Sequence, residues 1–468
     1  MMSKIVVIGA GSASFGLSTL GAMLREPALR GSELCLVDKD AEALEWVTRL
    51  AEQANEAWES GFTVSSSTRR REMLGGADFV ITALAVDRER MWELDRRIAL
   101  RHGILHYGEN GGPGGFFHTA RNAALFMPLL EDIRELAPGA LLLNFTNPVP
   151  RLSLLATRHY GIRTVGVCHQ IIFGYLQVGV VLGDKLGLDV PPHYTFTWED
   201  EFAHGRTYAL GGAAARKVKI KAAGINHFTW ILSLTDRETG EDLYPLFRER
   251  LARHNPSFEP FSRDLWRTFG LYPVSGDNHL IEYLPYTHHL HRGGWERYHI
   301  QMYPFHLATQ EREKMWQMVR GMVEGKVSLE SLKTVPSERA EAIIAAITGN
   351  SGACEEAVNV PNKGYIDNLP EGGIVEVPAT LDAQGIHGEK VGALPEAIAE
   401  LCRREMAVAS LAVEAAVSGS REIALQALAL DPMVDDLEVA RSLLREFLEE
   451  EKKYIPQFFG EKGKVPGE

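Results

Sequence analysis

The chain has 468 residues, more than one simple hydrophobic core accommodates, and its 45% hydrophobic and 24% charged composition is that of a folded globular protein. A net charge of −13 offers no basic face to neutralise phosphates, which excludes nucleic acid as an expected partner and favours small-molecule chemistry. No stretch is apolar enough to span a bilayer, the start lacks a signal-peptide core, and the four cysteines form no C-x-x-C pair, so a cytoplasmic protein without membrane partner or disulfides is expected.

Along the chain, short β-branched runs at 5–8, 34–37, 79–82, 141–143 and 164–167 alternate with helical patterns such as 41–58 and 87–101, the second placing Met91, Leu94 and Ile98 on one face. This rhythm predicts an α/β fold: a Rossmann-like, doubly wound parallel sheet over residues 1–170. Beyond Cys168 the pattern changes. Strand-like pieces at 194–198, 207–210 and 218–222, a hairpin around Thr239-Gly240, and amphipathic helices at 310–324, 395–417 and 434–451 predict a mixed α+β second domain over 171–468, with a loose tail after Phe459. There is no internal repeat.

Gly9-Ala10-Gly11-Ser12 follows the first strand and opens a helix, so backbone N–H groups at a helix N-terminus can meet a pyrophosphate. Ser14 stands where the usual fingerprint has its third glycine. Asp38 ends the second strand, where a carboxylate accepts hydrogen bonds from the ribose hydroxyls of NAD and repels the extra phosphate of NADP; its ordinary alternative is a helix cap. NAD is the expected cofactor.

Cys168-His169 leaves the fifth run at the carboxyl edge of the sheet, where such sheets bind ligands, and Asn144-Phe145-Thr146-Asn147-Pro148 leaves its neighbour at the same edge. Gly224-Ile225-Asn226-His227 follows later. A thiolate and an imidazole supply one soft and one borderline ligand for a divalent metal; taken singly, Cys168 also reads as an inert core thiol and His227 as a structural histidine.

These motifs, with Gly112-Pro113-Gly114-Gly115, Gly276-Asp277-Asn278-His279, Glu282-Tyr283 and Asn359-Val360-Pro361-Asn362, resemble the NAD- and manganese-dependent glycoside hydrolases of family 4, in order along nearly the whole chain. The resemblance implies that Cys168 and His227 bind the metal, flanked by His169, that Asn144 lies near the nicotinamide with Gly9, Gly11, Ser12, Ser14 and Asp38 on the rest of the NAD, and that Asn147 holds sugar hydroxyls. It further implies a reaction in which NAD takes hydride from carbon 3, a base removes the carbon-2 proton, the aglycone is eliminated, water adds and the hydride returns, with no paired carboxylates. Asp277 is the expected base and Tyr283 the alternative, with His279, Glu282 and Asn226 facing the sugar.

Residues 224–230 and 277–282 look most like members acting on α-galactosides and α-galacturonides, so the expected substrate is a small-molecule glycoside of the galactoside or hexuronoside class. The resemblance and the apolar C-terminal helices imply a homodimer or homotetramer. Two features depart from the family pattern: an apparent insert at 191–215, and Glu109-Asn110-Gly111-Gly112 ahead of the Gly-rich loop. His288, His289 and His291 lack a spacing that converges ligands and read as a solvated loop. An NAD-dependent 2-hydroxy-acid dehydrogenase of the lactate or malate type and a non-catalytic NAD sensor remain the competing readings.

Overall fold

The structure, a computed structural model, describes residues 2–191, 194–197 and 203–460. Six parallel strands open the chain: β1 (Lys4–Ile8), β2 (Glu33–Val37), β3 (Thr63–Ser67), β4 (Phe79–Thr82), β5 (Leu141–Asn144) and β6 (Thr164–Gly166). They lie in the order β3-β2-β1-β4-β5-β6, so the direction of winding reverses between β1 and β4. Period-two alternation feeds two cores. Ile5, Val7, Leu34, Leu36, Phe79 and Ile81 enter one, and Val6, Ile8, Cys35, Val37 and Val80 the other.

The sheet does not end at β6. Antiparallel strands β7 (Val218–Ile225), β8 (Phe228–Asp236), β9 (Ala353–Pro361), β10 (Ile374–Asp382) and β11 (Gly385–Gly388) extend it. β9 joins β6 at Gly166 and Asn359, β10 follows, and the β7–β8 hairpin pairs onto β10. This brings the two-residue hairpin turn Asn226-His227 towards the carboxyl edge of the parallel strands.

The expected helices at 41–58, 87–101, 310–324, 395–417 and 434–451 are present as Ala41–Ala57, Arg88–Arg101, Phe305–Val323, Glu396–Ser418 and Leu437–Glu450. Two local expectations fail. Residues 194–197 carry no regular structure, and 207–210 belong to the helix Ala203–Ala215. That helix packs on Ile171–Leu186 through small residues: a Cβ on Gly211 would stand 2.8 Å from the Ile172 oxygen, and one on Gly179 3.0 Å from Ala214. Trp198, part of the 191–215 insert and the tail beyond residue 460 lie outside the described residues. Among the described residues no helix is long and apolar enough to cross a membrane.

A buried ion triad fixes the C-terminal helical layer to the N-terminal half. Arg121, on the helix Gly112–Leu136, contacts Asp95 and Glu451 at 2.6 Å each, with side-chain exposures of 2%, 0% and 0%. Arg121→Met leaves two carboxylates without their cation, and urea unfolding should show a loss of about 3–5 kcal/mol. A loss under about 1 kcal/mol would mean the carboxylates find other partners.

Candidate active site

The turn after β1 is built for close approach. Gly9 adopts φ +90°, and a Cβ there would stand 2.4 Å from the Ala83 carbonyl oxygen. The Gly9 and Ala10 N–H groups both donate to the Val37 oxygen, at 2.9 and 3.1 Å, tying the turn to β2. Ser12 caps the helix Ala13–Arg25 without a side-chain cap bond, and Ser14 lies in its first turn, so the helix N–H groups remain available to an anion. Asp38 accepts from Gly11 N at 2.8 Å and Asp40 N at 3.0 Å, and its half-buried carboxylate keeps lone pairs for a ribose hydroxyl. The cap of Ala41–Ala57 is Asp40, not Asp38: Asp40 Oδ1 accepts from Ala43 N at 3.0 Å. These residues fit a dinucleotide.

Asn144 ends β5 at the carboxyl edge of the sheet. It is 0% exposed; Oδ1 accepts from Thr146 N at 3.0 Å, and Nδ2 donates towards Thr146 O, Val149 O and Ser153 Oγ at 3.2–3.3 Å. With both ends engaged, it shapes the loop rather than presenting a free group to a nicotinamide.

Cys168 and His227, 59 residues apart in sequence, meet with Sγ 3.3 Å from Nε2. That separation suits neighbouring ligands each roughly 2.0–2.3 Å from one ion. Burial, with His279 second, holds the His227 imidazole well below its ordinary pKa, so it is neutral, the form that could ligate a metal. Burial, with Glu376 second, pushes the Cys168 thiol up to about 12; only a cation beside it makes the thiolate stable at neutral pH. His227 also adopts φ +60°, a left-handed backbone uncommon outside glycine. Asn110 Nδ2 sits 3.2 Å from His227 Nδ1 while buried Asn110 Oδ1 has no partner among the described residues. Rotating that amide lets Oδ1 accept from Nδ1–H and frees the Nε2 lone pair, the arrangement a metal-bound histidine requires. The donor set fits a divalent ion. His169 pairs its Nδ1 with Glu338 Oε2 and stays within electrostatic range of His227.

Glu282, expected to face sugar, is 0% exposed and holds a backbone turn. Oε2 accepts from the N–H groups of Glu109, Asn110 and Gly111 at 2.9, 2.5 and 3.1 Å, while Oε1 lies 3.1 Å from His279 Nδ1. The turn precedes the helix Gly112–Leu136, whose positive end favours this carboxylate. Gly111 is required here: a Cβ would stand 2.2 Å from the Glu282 oxygen. His279 remains at the site, its ring 4.3 Å from that of His227, and with Glu282 it completes a three-ligand cluster whose atoms lie within 4.8 Å of one another. Asn147 is half-buried and donates to Glu109 Oε1 at 3.2 Å. Burial opposes ionisation of Glu109, yet Arg88 overrides it and holds the carboxyl down to about 2.

Asp277 is also occupied. Its carboxylate accepts from Phe261 N at 2.9 Å and from Ser262 N and Oγ at 2.7 and 2.6 Å, anchoring the start of the helix Pro260–Phe269. Burial raises its pKa, and Glu259, which accepts from Asp277 N at 2.8 Å, is raised well above its ordinary value by burial and by Asp277. Asp277 also lines the cavity beside His279, and taking a substrate proton there would weaken this cap. Tyr283 is 5% exposed and stacked on Phe228 at 5.4 Å, with Cys168 and Arg151 in electrostatic range; burial, then Glu282, push its phenol well above its ordinary value.

Asn226, another expected sugar contact, is 0% exposed. It donates to Glu376 Oε2 at 2.7 Å and hydrogen-bonds Cys168, and Asn359 donates to the same Glu376 oxygen at 2.9 Å. Glu376 thus organises the thiol's surroundings, a role missed by sequence reading although a lone glutamate within Ile374-Val375-Glu376-Val377 is its visible sign. Beside His279 opens a cavity of about 270 Å³ lined by Phe173, Tyr194, Phe196, Tyr298, Gln177 and Asn278 among others; none of its described lining residues is lysine or arginine.

Residues 4–178 match the family 4 glycosyl hydrolase, and residues 222–434 match the family 4 glycosyl hydrolase C-terminal domain. An alpha-glucosidase of Erwinia rhapontici is 30% identical, covering 92% of this chain and 94% of its own. An alpha-galactosidase of Rhizobium meliloti is 28% identical over 97% and 89%. Among solved structures, a 6-phospho-alpha-glucosidase from gut microorganisms, in complex with NAD and Mn2+, superposes with a TM-score of 0.77 at 21% identity, over 98% of this chain and 100% of that one.

Proposed function

The chain belongs to the family 4 glycosyl hydrolases, and from that premise we propose that it is an NAD- and manganese-dependent α-glycosidase acting on neutral hexosides, galactosides foremost. The observation that carries the reading is the Cys168–His227 pair, 3.3 Å apart at the sheet edge that also carries the dinucleotide turn. The galactoside preference rests on the cavity beside His279, whose described lining offers no permanent cation to a sugar carboxylate or phosphate. A hexuronoside is the less favoured substrate on the same ground.

Bound NAD would accept and return the carbon-3 hydride, and a divalent ion would polarise the ketone formed between those steps. Gly9, Gly11 and the following helix N-terminus would bind the pyrophosphate, and Asp38 the ribose. Cys168 and His227 would hold the ion, with Asn110 fixing the imidazole and Asn226 the thiol. Because Asp277 is committed to a helix cap, Tyr283 is the preferred base at carbon 2; Arg151 only partly offsets the burial and the Glu282 charge that raise its phenol, so a cation bound beside it would be needed to favour the phenolate.

The test is turnover of an aryl α-galactoside in heavy water. Product should carry deuterium at carbon 2, with NAD required but not consumed. Tyr283→Phe should abolish exchange, whereas Asp277→Asn should chiefly cost about 1 kcal/mol of stability through the weakened cap. Unlabelled wild-type product would reject elimination; stoichiometric NADH would return the dehydrogenase reading.

A homodimer or homotetramer is part of the proposal. Tyr286, Leu290, Leu430 and Leu437 stay exposed on two segments joined by the His289–Asp435 contact, an apolar face suited to a second copy. Sedimentation at micromolar concentration should give at least twice the 51.9 kDa chain mass, and a fully active monomer would refute it.

A further inference from the structure

The loop after Glu282 carries a second set of ligand-type side chains that takes no part in the site above. We propose that His288, His289 and Asp435 form a second divalent-metal site, for Zn2+ or an ion of similar borderline character, which clamps this loop to the C-terminal helical layer. His288 is not a solvated residue: it is 3% exposed, and its Nδ1 lies 3.0 Å from the Pro285 carbonyl oxygen. That bond puts the proton on Nδ1 and leaves Nε2 a bare acceptor, and buried Nε2 has no hydrogen-bond partner among the described residues. A buried, unpaired imidazole nitrogen whose other nitrogen is tied to a carbonyl is the state of a metal ligand awaiting its ion.

Two further donors converge beside it. The His289 ring lies 4.0 Å from that of His288, and His289 Nε2 is 3.4 Å from Asp435 Oδ2. One ligand atom from each of the three residues lies within 4.8 Å of the others. Two imidazoles and a carboxylate with a position open to water are a donor set that zinc accepts. Sequence spacing cannot show this, because Asp435 arrives from just ahead of the helix Leu437–Glu450.

The site's position gives it a reach. The His288 carbonyl oxygen accepts from Leu105 N at 2.7 Å and His289 bridges Ile104, a few residues before the Glu109–Gly111 turn that Glu282 holds. An ion here would restrain both segments leading to the catalytic turn.

The experiment measures Zn2+ binding, by calorimetry against zinc chloride, to the full-length protein carrying Cys168→Ser and His227→Ala, in which both donor groupings of the first site are broken. Zinc should bind and raise the melting temperature by a few degrees. Adding His289→Ala or Asp435→Asn, both at partly exposed positions that tolerate replacement, should weaken binding at least about tenfold and remove the thermal shift. A plain His289–Asp435 ion pair with water on His288 predicts no zinc binding in the Cys168→Ser, His227→Ala background, and that result overturns the proposal. So does binding that neither second substitution changes. Both outcomes are independent of whether Cys168 and His227 hold the catalytic ion, which the wild-type protein's additional equivalent reports.

Discussion

Cys168→Ser should lower kcat on an aryl α-galactoside by roughly 100-fold or more, equivalent to about 3 kcal/mol of lost transition-state stabilisation. A serine hydroxyl is a far poorer ligand for a borderline divalent ion than a thiolate, and the substitution removes the sulfur that stands 3.3 Å from His227 Nε2. NAD affinity should be unchanged, because the Gly9–Ser12 turn and Asp38 make their bonds within β1 and β2. Chelation of the wild-type enzyme should reproduce the loss, and added manganese should reverse it. Full turnover with full metal content in Cys168→Ser would remove the metal assignment altogether.

Glu282→Ala should damage stability and activity together. The substitution strips three buried backbone N–H groups of their acceptor, at about 1–3 kcal/mol for each one that water cannot reach, so thermal or urea unfolding should show a loss of at least about 3 kcal/mol. Activity should fall because the same turn carries Asn110, which fixes His227, and because His279 loses its Nδ1 partner. Glu282→Gln keeps an acceptor oxygen in the same place, so it should recover most of the stability and less of the activity. Equal stability of the alanine variant and the wild type would show that the turn stands without its carboxylate.

What could be read from the sequence was local. The near-continuous apolar runs at 5–8, 34–37 and 79–82 follow from strands buried on both faces, and all three runs are strands. The Gly9–Ser12 turn and the position of Cys168 at a strand end follow from the same rhythm. What could not be read was pairing at a distance. The polar β3 escaped because Thr63-Val64-Ser65-Ser66-Ser67 has no apolar face to announce an edge strand, and the helix at 203–215 because its glycines and alanines serve packing rather than periodicity. Asp277, expected as the base, spends its carboxylate on the start of a helix that precedes it, Pro260–Phe269. Glu282, Asn226 and Asn144 are polar residues beside functional motifs whose bonds are nonetheless spent on neighbouring backbone and side chains. Sequence proximity to a site predicted that they matter, but not which partner they hold.

The junction between β6 and β9 bears on how the chain comes off the ribosome. When β6 has been made, its outer edge has no neighbour, and β9 begins about 190 residues later, which at typical synthesis rates is roughly 10–40 s of elongation. Throughout that interval the nascent parallel sheet presents an unpaired apolar border beside the loop of Cys168, the kind of border on which other nascent chains pair and aggregate. Ribosome-bound fragments ending between residues 170 and 350 should therefore depend on chaperones, and fragments reaching past 388 should be released from that dependence.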